Sequence, residues 1–311
     1  MSDAGGVLRN AIYRGSLAGV LFICGAFLTV QGAERCASTP PSSAVTTVQT
    51  TLGGVPAILR VPKTIRKPPI LLWHGLGPPG NESELAGALP LDDVPAVKVY
   101  LGLPLLGVRA PSKEEESLAQ RQAEDYALRI FEPIVVGAAR ELPAVLVGLK
   151  QLHCLREHER VGLFGFSAGG AAALVALTDP RTPVSAAVVV NAPTSLNVAV
   201  DGFERATRRP YPWSDASRQL AQRVDATGHA AEIASGALPR ALLLFQGADD
   251  AVIAPSGAVA LEGALRPYYQ RSGNEHRLKL VVAPGIAHAW ADPTTVAQVR
   301  NAVADWFNRY L

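Results

Sequence analysis

Val161-Gly162-Leu163-Phe164-Gly165-Phe166-Ser167-Ala168-Gly169-Gly170 is the stretch that decides how this chain is read. Residues 161–166 form a short apolar run, which predicts a fully buried strand. The alanine-rich run 171–177 predicts a helix directly after it. Between them stands Gly165-x-Ser167-x-Gly169. A strand that turns sharply into a helix crowds any side chain on either side of the corner. Gly165 and Gly169 relieve that crowding, and the Ser167 hydroxyl is pushed out above the sheet edge. The helix start also aims the Ala168 N–H at the point where an oxyanion would form. A bare glycine-rich turn with an incidental serine is the plainer reading; the flanking strand and helix favour a nucleophile.

Upstream, residues 45–62 alternate and are broken at Leu52-Gly53-Gly54, the pattern of a β-hairpin. Pro68-Pro69 stops it, and 70–73 is a short buried strand running into His74-Gly75-Leu76-Gly77-Pro78-Pro79-Gly80. Asn81 with Glu84 three residues on reads as a capped helix start. Residues 97–101 are a further strand. Residues 113–131 predict a helix that Pro133 interrupts, and 134–155 a second helix bent near Pro143. Downstream, strands at 185–190, 240–245 and 278–282 alternate with helices at 255–269 and 294–310. Short apolar strands alternating with helices predict an α/β protein: a mainly parallel sheet with helices on both faces and an antiparallel N-terminal hairpin.

In such sheets reactive groups gather at the carboxyl ends of the strands. The 74–80 loop, Ser167, Asp250 and His288 all stand there. A serine needs a base, and the base a carboxylate that fixes its tautomer. Of the six histidines, His288 fits best, in a loop between the last strand and the last helix. The acid is Asp249 or Asp250; Asp250 is preferred, and the other is expected to cap a helix or shape a turn. Asn191, at the preceding strand end, cannot ionise. His74 is read as a side chain that braces its loop rather than as the base.

The order serine, acid, histidine resembles that of the α/β-hydrolase superfamily, over about residues 45–311. The resemblance rests on Gly165-Phe166-Ser167-Ala168-Gly169, on Gly247, Asp250 and Ile253 in a Gly-x-x-Asp-x-x-aliphatic spacing, and on the His288 loop. It looks most like the dienelactone-hydrolase and esterase-like branches. The resemblance implies that the Leu76 N–H is a second oxyanion donor beside that of Ala168. It also implies a small helical cap inserted between late strands, at about residues 197–238. There Phe203, Tyr211 and Trp213 could line an acyl pocket, and Arg205, Arg208 and Arg209 could attract an anionic substrate or form a solvated basic face. Departures narrow the branch. The loop after His74-Gly75 has no further Gly-Gly, and the nucleophile is neither cysteine nor aspartate. Prolyl-oligopeptidase relatives usually carry tyrosine after the serine and a large N-terminal domain, so Ala168 and the chain length speak against them.

At 48% hydrophobic residues, the 311-residue chain can fill one large core. A net charge of +2 without a long basic run gives no footprint for nucleic acid. Cys24, Cys36 and Cys154 have no metal-ligand spacing. Arg9 and Arg14 precede an apolar run at 17–30, followed by Gly32 and Ala33. Residues 1–33 therefore read as a signal peptide with a weak cleavage site at Val30-Gln31-Gly32, or as an uncleaved membrane anchor. Residues 34–43 read as a linker and 44–311 as the hydrolase domain. Cleavage would remove Cys24 and leave Cys36 and Cys154 free to pair in an oxidising compartment. The expected protein is a secreted or periplasmic serine hydrolase acting on small-molecule esters, with no metal or organic cofactor. A thioesterase, lactonase or amidase, or a non-catalytic binding protein of the same fold, is the alternative.

Overall fold

The structure is a computed structural model that describes residues 36, 45–112, 115–290 and 292–311. The expected signal segment, Cys24 and all of the expected linker except Cys36 lie outside the described residues.

Eight strands form one sheet: β1 Val45–Leu52, β2 Val55–Pro62, β3 Ile70–Trp73, β4 Lys98–Leu101, β5 Val161–Phe166, β6 Val184–Val190, β7 Ala241–Gly247 and β8 Leu278–Ala283. Their order is β1-β2-β4-β3-β5-β6-β7-β8. The hairpin β1–β2 and the β2–β4 pair are antiparallel; every later neighbour is parallel. Strands covered on both faces read as continuous apolar runs. In β5 the alternation still sorts them: Val161 and Leu163 point into one core, Phe164 and Phe166 into the other. Helices Gly137–Gln151, Ala168–Thr178 and Ser256–Arg271 pack on the first face, and Glu82–Ala88 and Pro293–Tyr310 on the second. Asn81 caps its helix as its spacing predicts, accepting from the Glu84 N–H. No described helix is long and apolar enough to cross a membrane.

The segment before β5 departs from expectation. A helix begins only at Leu118, where Ser117 and Gln120 form a capping box, and it ends at Glu124. Residues Tyr126–Val136 then wind as a π-helix that runs through Pro133. Helix Gly137–Gln151 follows and continues across Pro143. Its buried residues Ala138, Leu142, Val145 and Leu149 keep a helical spacing on either side of the proline, and this packing outweighs the lost backbone bond. Cys36 and Cys154 form a disulfide that closes 118 residues, with Cα atoms 5.0 Å apart. By chain entropy a closure of that length is worth about 5 kcal/mol.

Helices Leu196–Thr207, Asp215–Arg223 and Ala230–Ile233 stand between β6 and β7. They are anchored at their far end by Arg240, whose side chain is 1% exposed. Its guanidinium donates to the carbonyls of Glu232 and Ile233, and to those of Asp179, Pro180 and Thr182. These carbonyls close the C-terminal ends of two helices, where a cation is favoured.

Candidate active site

Ser167 sits at φ 51° and ψ −118°, between β5 and helix Ala168–Thr178. Such a backbone costs a serine about 1–3 kcal/mol and persists only where its surroundings enforce it. The glycines show how tight the corner is. A Cβ on Gly165 would lie 2.2 Å from the Gly169 carbonyl oxygen, and one on Gly169 would lie 2.4 Å from that of His74. The Gly169 N–H donates to that His74 carbonyl at 3.0 Å, which ties the corner to the end of β3.

Three loops meet at the serine. His288 Nε2 lies 3.0 Å from Ser167 Oγ, and His288 Nδ1 lies 2.8 Å from Asp250 Oδ2. With the proton on Nδ1 donated to the carboxylate, Nε2 accepts from the serine hydroxyl. The Asp250 side chain has no exposed surface. Its Oδ1 accepts the N–H groups of Val252 and Ile253 at 2.9 and 2.7 Å, and its Oδ2 also accepts Gln246 Nε2 at 3.1 Å. Asp249 is exposed, and its backbone N–H donates to Ile286. The structure thus brings Ser167, His288 and Asp250 together and leaves Asp249 in the turn.

Asn191 is the residue that sequence reasoning passed over. Its Oδ1 accepts the Gly247 N–H at 2.7 Å, and its Nδ2 donates to the carbonyls of Ala287 and His288 at 3.0 and 3.2 Å. One amide therefore holds the loop of the acid to the loop of the base. Its position at a strand end, next in the sheet order to the strand that carries the acid, was the available signal.

Ala168 N–H and Leu76 N–H donate to no group among the described residues. The orientation of the second is set by His74. That ring is fully buried; Nδ1–H donates to the Gly75 carbonyl at 2.8 Å, and Nε2 accepts the Leu103 N–H at 3.2 Å. A trans peptide points its N–H opposite its C=O, so a Gly75 carbonyl held on one side turns the Leu76 N–H to the other. Burial lowers the His74 pKa to about 4. The folded protein thus binds this proton less readily than the unfolded chain. The contribution is complete above pH 6.5 and is lost as the pH falls toward 4, by about 3 kcal/mol. Urea midpoints measured from pH 7 to pH 4 should fall more steeply in the wild type than in His74→Gln, which has no ring to titrate.

A cavity of about 250 Å³ opens beside Ser167 and His288. Tyr126, Ile130, Phe131, Ile134 and Val135 form one wall, all from the π-helix. They stand four, five, eight and nine residues beyond Tyr126, a spacing that suits a helix of i→i+5 bonds, whereas an α-helix would turn some of them away. Helix Leu196–Thr207 supplies Phe203, whose ring stacks on Tyr126 with centroids 4.8 Å apart. Among the described residues, no Asp, Glu, Lys or Arg side chain lines the cavity. Tyr211 and Trp213 pack behind Phe203 rather than in the wall. Arg205, Arg208 and Arg209 are exposed and outside the lining, and Arg205 donates to the Val252 carbonyl. The expected attraction of an anion into the pocket therefore finds no support in its wall. Among the described residues, no three His, Cys, Asp or Glu side chains gather as metal ligands would.

Comparison with known proteins gives the same fold. A sequence model of the prolyl oligopeptidase family matches residues 140–311, more than half of the chain. The structure is similar to that of TT1662 from Thermus thermophilus, at 19% identity and a TM-score of 0.62, over 85% of this chain and 99% of that one. It is similar to an esterase of Pyrococcus furiosus, at 13% identity and a TM-score of 0.53, over 86% and 91%. It is also similar to a puromycin-hydrolyzing peptidase of Mycobacterium tuberculosis, at 16% identity and a TM-score of 0.61. There the match covers 88% of this chain but only 41% of the peptidase. A search of curated proteins by sequence found no match. The family match corrects the argument from Ala168 and chain length. Residue 168 offers the site its N–H, which any side chain leaves in place. The matched residues 140–311 also carry all three triad positions without calling on a further domain.

Proposed function

We propose, since the chain belongs to the prolyl oligopeptidase family of serine hydrolases, that it is a carboxylesterase of small or medium neutral esters. The observation that carries this reading is the uncharged, apolar cavity opening onto a serine in contact with its base. A peptide brings a chain of amide groups for which such a wall has few partners, whereas an ester's acyl chain is mostly apolar surface.

In this reading Ser167 Oγ attacks the carbonyl carbon as His288 Nε2 takes its proton. The oxyanion receives hydrogen bonds from the Leu76 and Ala168 N–H groups, worth about 2.7–4 kcal/mol each in the transition state. Asp250 holds the ring and stabilises the imidazolium. As the acyl–oxygen bond breaks, Nε2–H protonates the leaving alcohol. Water, deprotonated by the same nitrogen, then releases the acid and restores the serine. The 3.0 Å and 2.8 Å contacts of His288 with Ser167 and Asp250 suit the proton-transfer roles.

The test compares matched p-nitrophenyl esters with prolyl p-nitroanilides and proline-containing peptides. Esters should give kcat/KM values at least about 10⁴ M⁻¹s⁻¹, with the anilides near background. Anilide or peptide turnover equal to that of the esters would reassign the chain as a peptidase. Failure of a fluorophosphonate probe to label Ser167 would remove the hydrolase reading altogether.

We also propose that residues 1–33 direct export, with an uncleaved anchor as the rival. The Cys36–Cys154 bond supports an oxidising destination. The mass of the mature protein separates the two.

A further inference from the structure

The cavity wall holds two polar side chains that the reaction described above does not use, Gln122, which is exposed, and Tyr126, which is half-buried. Tyr126 lines the pocket, and its hydroxyl makes no hydrogen bond with any described residue. Burial alone raises the pKa of this phenol, to about 12, so it is a neutral donor at any working pH. Its position is fixed from three sides. The ring stacks on Phe203 at an interplanar angle of 13°. The preceding Asp125 accepts the Leu128 N–H at 3.0 Å, which locks the first turn of the π-helix. The same Asp125 oxygen accepts the Tyr211 hydroxyl at 2.5 Å, which ties that turn to the helices between β6 and β7. A tyrosine needed only for bulk would not require an unpaired hydroxyl in an apolar wall, since phenylalanine fills the same space. Ligand pockets of this kind use a few placed polar groups to fix orientation.

We propose that Tyr126 is a specificity-determining residue whose hydroxyl reads a neutral acceptor oxygen on the acyl part of the substrate: a keto, ether or hydroxyl oxygen. This rests on the ester-hydrolase reading above. A plain alkyl chain would bury the hydroxyl without a partner, whereas an oxygenated chain pairs it. One neutral hydrogen bond of this kind separates the two by about tenfold. The oxygen is neutral because the wall has no cation to accompany a carboxylate.

The experiment uses p-nitrophenyl hexanoate and its 4-oxo and 5-oxo analogues. Each keto ester is compared with hexanoate as a ratio of kcat/KM, in the wild type and in Tyr126→Phe. Intrinsic reactivity cancels when the two ratios are divided. We expect one keto position to exceed hexanoate by about tenfold in the wild type, and the ratio to fall toward one in Tyr126→Phe. Equal ratios in the two enzymes would overturn the assignment.

A binding arm keeps the two readings separable. The methyl esters of the same acids are titrated into Ser167→Ala and into Ser167→Ala/Tyr126→Phe by calorimetry. A keto preference that depends on Tyr126 there, with no turnover by the wild type, leaves the tyrosine assignment standing and removes the hydrolase. Turnover without any dependence on Tyr126 does the reverse.

Discussion

Replacing Ser167 with alanine should lower kcat by about 10⁶-fold, while substrate still binds with a similar dissociation constant. The size follows from how the triad works. His288 and Asp250 have nothing to activate once Oγ is gone, so the three groups fail as a unit rather than in proportion. The oxyanion donors remain, so hydrolysis stays above the rate in plain water. Asp250→Asn should cost about 10⁴-fold, because an amide on Nδ1 favours the wrong tautomer of His288. Asp249→Asn is the control. That side chain is exposed and outside the hydrogen bonds of the site, so its rate should stay close to that of the wild type. Steady-state rates on one ester, with folding checked by circular dichroism, decide the matter. An Asp249→Asn defect equal to that of Asp250→Asn would overturn the assignment of the acid.

The second large effect concerns stability. Arg240→Met should destabilise the fold by about 2–4 kcal/mol. The guanidinium is buried without a carboxylate partner among the described residues; it is the donor for the Ile233 and Pro180 carbonyls, while those of Glu232, Asp179 and Thr182 also accept backbone N–H groups. Methionine replaces the volume of the stem but leaves the Ile233 and Pro180 oxygens with no donor among the described residues. Lysine at this position should recover only part of the loss, since one ammonium cannot reach both groups of carbonyls as a planar fork does. Arg266→Met is the comparison. That arginine is mostly exposed and pairs with Glu262 four residues away, and its loss should cost no more than about 1 kcal/mol, a smaller shift of the urea midpoint. Equal midpoints for Arg240→Met and wild type would show that the carbonyls find other donors.

Much of the site can be read from the chain because its signals are local. The corner at Ser167 needs glycines at fixed offsets. Asp250 stands where a turn after a strand presents its own N–H groups, those of Val252 and Ile253, to the carboxylate. Those constraints are written within a few residues of each position. Asn191 escaped because its amide acts on two loops more than fifty residues away, and a side chain that cannot ionise gives no chemical hint of that. The π-helix escaped for a different reason. A search for apolar residues every 3.6 positions finds one helix across 113–131 and stops it at Pro133, whereas the packing obeys a longer repeat. Pocket dimensions and the Cys36–Cys154 pairing depend on distances that a sequence does not contain.

The unusual winding of Tyr126–Val136 carries an implication for how this pocket can change over time. A segment with one residue too many per turn can shed that residue and relax into the commoner coil. Side chains within the segment would then step about 100° per residue around the axis, in place of the smaller step of the present winding. The aliphatic wall would be dealt out afresh in one step, with the serine corner and its partners untouched. Length variation here, more than point substitution, is the route by which descendants of this protein would acquire new acyl preferences.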